Sequence, residues 1–163
     1  MGVTTNPNRK RRKRRKRRLP PRWFIHLFWQ GHRWVYRISG HRVGLWRPKN
    51  DGWGAMCLHT IGRRTGREHN VMVGYFEDGP NLVAMAMNGW GAGEPAWWLN
   101  LQAHPDITVD LPRAGSRLVH ARAAQGEERD RLWARWQEID EGLDDYAARR
   151  QQETAVVVLE PRV

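Results

Sequence analysis

The sequence predicts a mainly β domain with helical additions (α+β), in which short strands form a small barrel. Two observations support this class. Six short apolar segments are separated by turns rich in glycine and aspartate, and only two or three helical segments accompany them. Because strands and helices do not alternate regularly, a parallel sheet is not expected. The length of 163 residues suits one domain with a hydrophobic core.

The six strand segments are short apolar runs with the composition of β-strands. They are residues 55–60, 71–76, 82–87, 107–111, 117–123 and 155–160. The sequence EDGP at residues 77–80 predicts a hairpin turn between the second and third strands, because glycine and proline adopt the backbone angles of tight turns.

Three further segments show helical features. Residues 94–104 predict a short helix, because Pro95 stands near its start. Residues 127–150 predict a longer helix with acidic residues in its first turn and one apolar face, formed by Leu132, Trp133, Trp136, Ile139 and Leu143. Residues 22–38 predict an amphipathic helix with an aromatic apolar face, and residues 39–54 predict a loop.

The formal charge of +11 is concentrated in an N-terminal arm. Residues 9–18 are ten consecutive lysines and arginines, which leaves 18 basic against 17 acidic side chains in the rest of the chain. Residues 1–21 lack apolar periodicity, so we expect a disordered polybasic arm before a folded domain over residues 22–163. The basic run of the arm and the aromatic helix that follows it, together residues 9–38, favour an anionic membrane surface as partner. An arm without a partner, with the helix packed on the barrel, is the second interpretation. Nucleic acid is the least favoured, because such binding needs no aromatic helix.

Several function classes find no support in the sequence. The single cysteine, Cys57, excludes an internal disulfide and is expected to be a small apolar strand residue. No metal-ligand spacing, nucleophile elbow or GxGxxG motif is present, so we expect no metal site. No segment has the apolar length to span a bilayer or the features of a signal peptide. We therefore expect a cytoplasmic protein that attaches peripherally to the inner face of the cell membrane.

Two loops carry the features of a ligand site. Gly62-Arg63-Arg64-Thr65-Gly66 combines a tight turn with arginines suited to phosphate or carboxylate, and its backbone N–H groups could converge on an anion. A solvated charged turn would have a similar sequence. In residues 88–100 (NGWGAGEPAWWLN), glycines permit close approach of a flat ligand before a helix begins. Trp97 and Trp98 fit either stacking on a planar ring or core packing.

Read in chain order, these loops form a longer pattern. Residues 60–66 (TIGRRTG) are followed by residues 74–79 (GYFEDG), Asn88-Gly89, residues 95–105 (PAWWLNLQAHP) and the strand segment ITVDL. This order and spacing resembles the deazaflavin-dependent nitroreductase family, split β-barrel oxidoreductases of actinobacteria that use reduced coenzyme F420. The resemblance extends over residues 22–160 and is strongest in residues 58–111. It implies a split β-barrel of the FMN-binding-like class.

The resemblance also implies a set of cofactor-binding residues. The loop residues would hold the phosphate and oligoglutamate end of F420, the second strand would line its tail and ring, the end of the third strand would border the deazaflavin, and the short helix would cover it. The loop residues are Arg63, Arg64 and Thr65, and those of the second strand are His69, Asn70, Val71, Met72, Val73 and Gly74. Those at the end of the third strand are Met85, Ala86, Met87 and Asn88, and those of the short helix are Ala96, Trp97, Trp98, Leu99 and Asn100.

The implied activity is hydride transfer from reduced F420 to a small-molecule acceptor, a quinone, a nitroaromatic or a similar conjugated compound. Nitro-reducing members carry several tyrosines in the late helical segment, where this chain has Tyr146 alone. Tyr146 fits either a proton donor in the substrate pocket or a packing residue. Two alternatives stay open from the residues themselves: an FMN-binding split-barrel oxidoreductase, and a module that holds a deazaflavin or lipid without turnover.

Overall fold

A computed structural model describes residues 44–49 and 52–162. The polybasic arm of residues 1–21 and the helix expected over residues 22–38 lie outside the described residues, so both stay predictions, as does the domain boundary between them. Within the described ranges, none of the helices is long and apolar enough to cross a bilayer.

Six antiparallel strands form a closed barrel. They are β1 (Gly54–Ile61), β2 (Glu68–Asp78), β3 (Asn81–Met85), β4 (Asp106–Leu111), β5 (Gly115–Ala123) and β6 (Val156–Pro161). Their order around the barrel is β1-β2-β3-β6-β5-β4, and β4 pairs with β1 to close it. The predicted strands and the expected absence of a parallel sheet are confirmed for the part of the chain that is described. In the described part of the loop expected over residues 39–54, Trp46 forms an isolated bridge with Ala55 of β1, and Gly54 is already the first residue of β1.

The strand order gives the barrel two different ends. At the hairpin end, β2 and β3 are joined by Gly79-Pro80, and β4 and β5 by residues 112–114. Gly79 has φ +59, as the first central residue of a type II′ turn requires. The other end, which we call the loop end, carries the β1–β2 loop and both long connections, from β3 to β4 and from β5 to β6.

Three helices lie in the two long connections. Helix α1 (Ala96–Ala103) lies between β3 and β4, and helices α2 (Gly126–Ile139) and α3 (Leu143–Ala147) lie between β5 and β6. The prediction of a single helix over residues 127–150 is wrong, because this segment forms two helices separated by residues 140–142. The Asp140 carboxylate accepts a hydrogen bond from the Gly142 N–H at 3.0 Å, and this local turn competes with helix propagation.

The barrel residues divide between two main cores because successive strand side chains point to opposite faces. The interior core includes Leu58, Tyr75 and Val109, and α1 closes its loop end with Trp98 and Leu101. The second core lies outside the barrel. There, α2 and α3 cover the outer face of β2, β3 and β6 with the apolar side chains that the helical spacing predicted. Of these, Leu132, Trp136 and Leu143 are buried, and Trp133 and Ile139 are half-buried. Cys57 is buried on the outer face of β1, as expected of a packing residue.

Candidate functional site

The β1–β2 loop is a compact turn that requires glycine at both of its ends. Gly66 has φ +65, a backbone conformation that favours glycine. A Cβ atom on Gly62 would come within 2.7 Å of the Thr65 hydroxyl and 2.9 Å of the His69 ring. The predicted tight turn is therefore confirmed, and the crowding at Gly62 explains why no larger residue fits there.

The backbone of this loop does not form the expected anion-binding arrangement of N–H groups. The N–H groups of Gly62, Thr65 and Gly66 donate to carbonyls inside the loop, and that of Arg67 donates to the Thr65 hydroxyl. Those donors are already used, so the convergence expected from the sequence is wrong. What the loop offers a ligand is its exposed side chains, above all Arg63 and Arg64.

Asn100 connects the loop to helix α1. Its side-chain oxygen accepts hydrogen bonds from the backbone N–H of Arg63 at 3.2 Å and from Arg63 Nη1 at 3.3 Å. Its amide nitrogen donates to the Thr60 hydroxyl at 3.4 Å, and that hydroxyl donates to the His69 carbonyl at 3.1 Å. Asn100 and Thr60 are both buried, so this chain of hydrogen bonds fixes the loop against the helix.

The connection between β3 and α1 forms the opposite wall. Asn88, Gly89 and Trp90 have φ values of 47, 58 and 60, so three consecutive residues take left-handed backbone angles. The Asn88 amide donates to the carbonyls of Ala92 at 2.9 Å and Gly93 at 3.2 Å, which closes this segment on itself.

Between these walls lies a cleft of about 480 Å³. It is lined by Thr60, Gly62, Arg63, Arg64, Thr65, His69, Asn70, Val71, Asn88, Pro95, Ala96, Trp97 and Asn100. Among the described residues the lining holds two arginines and no carboxylate, so this surface favours an anionic ligand. The backbone N–H groups at the start of α1 add to this preference, since the first turn of a helix carries partial positive charge and this one contains no acidic residue.

Ten of the residues implied by the family resemblance meet in this cleft. They come from the β1–β2 loop, the start of β2, the β3–α1 connection and α1, and they are Arg63, Arg64, Thr65, His69, Asn70, Val71, Asn88, Ala96, Trp97 and Asn100. These segments are far apart in sequence, and the barrel topology brings them to its loop end.

The other implied cofactor residues lie outside the lining of the cleft. Val73, Ala86 and Trp98 belong to the barrel interior, Met85 and Met87 pack towards α2 and α3, and Met72 packs with Ala55 and Cys57 on the outer face. Gly74 faces the Trp53 ring, and Leu99 is half-buried on α1. Strand alternation turns Met72 and Gly74 to the outer face of β2, and the contact of all eight residues with a cofactor stays a prediction.

The two adjacent tryptophans have different surroundings. Trp98 is buried in the barrel core, whereas Trp97 is half-buried and lines the cleft. The core interpretation therefore describes Trp98, and stacking of Trp97 on a planar ring stays a prediction.

Tyr146 is separated from the cleft. It is buried, its ring centroid lies 5.8 Å from that of Trp90, and a Cβ atom on Gly142 would come within 2.8 Å of its hydroxyl. These contacts agree with the packing role, and its role as a proton donor stays a prediction.

Sequence reasoning missed Thr60, Gly62 and Pro95 as lining residues, although all three lie in or beside the motifs that it identified. It also missed Arg150, whose buried side chain contacts the wall formed by the β3–α1 connection. No local signal distinguishes Arg150 from its neighbour Arg149. Among residues 44–49 and 52–162, no cluster of three or more potential metal ligands is found.

Comparison with known proteins agrees with this geometry. The sequence profile of the F420H(2)-dependent quinone reductase family matches residues 29–161. An F420H(2)-dependent quinone reductase of Mycobacterium tuberculosis is 28% identical over 136 residues, which are 80% of this chain and 88% of that protein. A solved F420-H2 dependent reductase superposes with a TM-score of 0.58 at 22% identity, over 65% of this chain and 93% of its own. A chain described as a domain-swapped dimer has a TM-score of 0.61 at 20% identity, over 86% and 100%.

The fold and the comparisons define the class of protein as a split β-barrel oxidoreductase. The chain belongs to the F420H(2)-dependent quinone reductase family, and the cofactor of that family is coenzyme F420. The resemblance inferred from the motifs is thereby confirmed as to fold, enzyme class and cofactor. Reduction of nitro compounds is not tested by this assignment and stays a prediction.

The residues of the cleft fit this cofactor. Its phosphate and oligoglutamate end is polyanionic, and Arg63 and Arg64 line the cleft together with described residues that include no carboxylate. The Arg64 guanidinium makes no hydrogen bond or ion pair with any of the described residues, so its donors are available to a ligand. Pro95 and Trp97 supply apolar surface beside them, as a planar ring requires.

Proposed function

We propose that this chain binds reduced F420 in the loop-end cleft and transfers hydride to a quinone or a similar conjugated acceptor, with nitroaromatics as a second class. The observation that supports the proposal is the cleft, in which the described lining residues combine two arginines with an apolar wall and include no carboxylate. The family assignment favours this function over an FMN enzyme and over a module without turnover.

The chain's own residues bind and orient rather than react. In this proposal Arg63, Arg64 and Thr65 hold the anionic tail, and Asn100 keeps the Arg63 side chain in place. Trp97 and Val71 line the apolar part of the cleft, and α1 closes the barrel behind it and keeps water out. Bound reduced F420 supplies the hydride from its ring carbon. Orientation and exclusion of water are the main contributions expected of the protein.

The first test is a titration of the protein with F420 and, in parallel, with FMN, followed by fluorescence. Micromolar or tighter F420 binding without FMN binding supports the proposal. Preference for FMN would leave the barrel assignment unchanged and would identify FMN as the cofactor instead of F420. Binding of neither compound would contradict the assignment of the cleft as a cofactor site. Oxidation of reduced F420 on addition of menadione distinguishes an enzyme from a carrier, and a nitroaromatic added instead tests the second acceptor class.

The arginines can be tested by substitution. Arg64→Ala, and Arg63→Ala with Arg64→Ala, should each weaken F420 binding, the double variant more. Each charge-assisted hydrogen bond contributes roughly 1.5–3 kcal/mol, so a loss of about ten- to a hundredfold per arginine is expected. The dissociation constant is measured by the same fluorescence titration.

A matched control removes the same charge from the other end of the barrel. Arg113 lies in the β4–β5 turn, and Arg131 pairs with Asp78 at the end of β2 at 2.8 Å. Arg113→Ala with Arg131→Ala should leave F420 affinity within about twofold, because charges so far from a ligand are screened by salt. Equal losses in both double variants would mean that net charge, not the β1–β2 loop, governs affinity.

A further part of the proposal concerns location. We propose that residues 9–38 attach the enzyme to an anionic membrane surface, where a lipid-soluble quinone would be the acceptor. The support is the run of ten basic residues followed by an aromatic segment, while the rest of the chain is nearly neutral.

A further inference from the structure

The guanidinium of Arg150 is fully buried in the connection between α3 and β6. Its side chain has 0% exposure. Nη1 donates to the Ala86 carbonyl at 2.6 Å and to the Thr154 hydroxyl at 2.9 Å, and Nη2 donates to the Gly93 carbonyl at 3.0 Å. The Glu94 carboxylate lies 3.7 Å from Nη2. Burial of a charge is unfavourable unless its donors are used, and both Nη atoms are used on backbone or hydroxyl oxygens.

The two carbonyls that Arg150 contacts bracket a single segment of chain, residues 86–94. Ala86 directly follows β3, and Gly93 stands two residues before Pro95, the N-cap of α1. One guanidinium from a distant part of the sequence therefore joins the start of the segment to its end. It reaches the start through Nη1 and the end through Nη2.

This segment has a backbone that needs external support. Asn88 and Trp90, which are not glycines, take φ values of 47 and 60. Such conformations persist when the surrounding structure holds them. The hydrogen bonds of the Asn88 amide remain inside the segment and do not attach it to the barrel. Three attachments come from outside: Arg150 at both ends, the Gln152 amide that donates to Glu94 at 3.0 Å, and the Ala155 carbonyl that accepts from the Ala86 N–H at 2.9 Å.

The segment in turn places one wall of the cleft. Asn88 belongs to it, and Pro95, Ala96 and Trp97 follow it directly. Arg150 is not part of the cleft lining, so its influence on a ligand would be exerted through the segment.

We propose that Arg150 is a positioning residue that holds residues 86–94 in the conformation that shapes the cleft, and so sets the affinity for the anionic cofactor. The effect on cofactor affinity rests on the proposed function. The two Nη atoms of the planar guanidinium donate hydrogen bonds to opposite ends of the segment. A lysine has one compact ammonium and cannot reproduce this geometry, so Arg150→Lys retains the charge and removes the bridge.

The experiment compares the wild-type chain, Arg150→Lys and a matched destabilised control, Val109→Ala. Val109 is buried in the barrel on β4, which pairs with β1 and β5 and not with β3, and it has no part in the cleft lining. Hydrogen exchange of the peptide spanning residues 86–95 is measured by mass spectrometry without ligand, and F420 affinity by fluorescence titration. Both are measured well below the melting temperature of each variant.

In Arg150→Lys we expect exchange of this peptide to be about tenfold faster than in the wild type, with strand peptides unchanged. We expect the F420 dissociation constant to rise about tenfold, and the KM for reduced F420 to rise by a larger factor than kcat falls. Val109→Ala should lower the melting temperature and leave segment exchange and affinity within about twofold. Equal changes in both variants would show that Arg150 acts through global stability alone, which overturns the proposal.

If Arg150→Lys does not accumulate as folded protein, the same measurements are made on Thr154→Val. It removes one acceptor of Nη1 and keeps the arginine. We expect about threefold faster exchange of residues 86–95, because the guanidinium is then less firmly held. Unchanged exchange would overturn the proposal.

The outcomes separate this inference from the proposed function. If the wild type binds F420 and Arg150→Lys binds it equally well, the positioning role fails and the proposed function stands. If the wild type does not bind F420, the proposed function fails, while faster segment exchange in Arg150→Lys still supports the role of Arg150 in holding the segment.

Discussion

His59 shows how a single side chain connects three strands on the outer face of the barrel. It lies on β1, and its Nδ1 is 2.9 Å from the Glu68 carboxylate on β2 while its Nε2 is 2.8 Å from the Asp110 carboxylate on β4. Burial acts to lower the pKa of His59, but the hydrogen bonds and negative charges of Glu68 and Asp110 outweigh it and raise the pKa above 6.5. The doubly bound imidazolium therefore stabilises the β1–β2–β4 side of the barrel.

This arrangement predicts a pH dependence of stability. Because the folded-state pKa of His59 is raised above the unfolded value, its contribution is fully present below about pH 6.5 and is lost as the pH rises through the folded-state pKa. We expect the free energy of unfolding of the wild type to fall over that range more than that of His59→Gln. Urea unfolding at several pH values measures both. Parallel curves for the two proteins would contradict the assignment.

At the scale of secondary-structure elements, the break between α2 and α3 decides where Tyr146 lies. Helix α2 ends at Ile139, and the turn closed by the Asp140 side chain leads to Gly142. Tyr146 then packs over Gly142 and against Trp90, which belongs to the segment that borders the cleft. A continuous helix, which the apolar spacing indicated, would carry Tyr146 on a different path.

Gly142→Ala tests this packing. A Cβ atom there would lie 2.8 Å from Tyr146 Cζ and 2.8 Å from its hydroxyl, so the ring or the turn must move. We expect a loss of about 1–3 kcal/mol in the free energy of unfolding, as for other overpacked sites, although alanine is the better helix former. Urea unfolding measures it. The adjacent exposed residue provides the control, and Glu141→Ala should change stability by less than about 0.5 kcal/mol. Equal stability of Gly142→Ala and wild type would show that this contact is absent in solution.

At the scale of the whole molecule, charge is divided unevenly between the arm and the folded domain. Residues 9–18 carry ten positive charges, whereas the rest of the chain has 18 basic and 17 acidic side chains. The acidic side chains of the barrel and helices are largely paired with arginines or histidines, as Glu128 and Glu160 are with Arg122. Binding to an anionic surface would therefore depend on the arm rather than on the barrel.

Vesicle binding tests this dependence. The full chain should sediment with vesicles that contain an anionic lipid and not with vesicles of phosphatidylcholine alone, and added salt should weaken binding. Deletion of residues 1–21 should weaken binding by more than about tenfold, since each basic residue near such a surface contributes about 1 kcal/mol. The deleted protein should bind F420 as the full chain does. Binding of double-stranded DNA with no binding of anionic vesicles would favour the nucleic-acid interpretation instead.

The amino-acid sequence by itself determined those features of the protein that depend on neighbours along the chain. Apolar alternation and turn residues such as Gly79-Pro80 specify the six strands, and glycines at both ends of residues 62–66 specify the loop. The motif order was enough to indicate the family, because those motifs keep their order and spacing in one chain. Local chemistry also indicated that Arg63 and Arg64 would offer positive charge.

Only the tertiary structure decided which of these residues share a site. Trp97 faces the cleft and Trp98 the core because α1 closes the barrel end in one orientation. Met72 and Gly74 leave the cleft because strand alternation turns them outward once the barrel closes. Arg150 meets Ala86, 64 residues away, through topology that no local pattern encodes. Contacts between distant segments depend on the closure of the whole barrel, and this is the physical reason why spacing alone did not predict them.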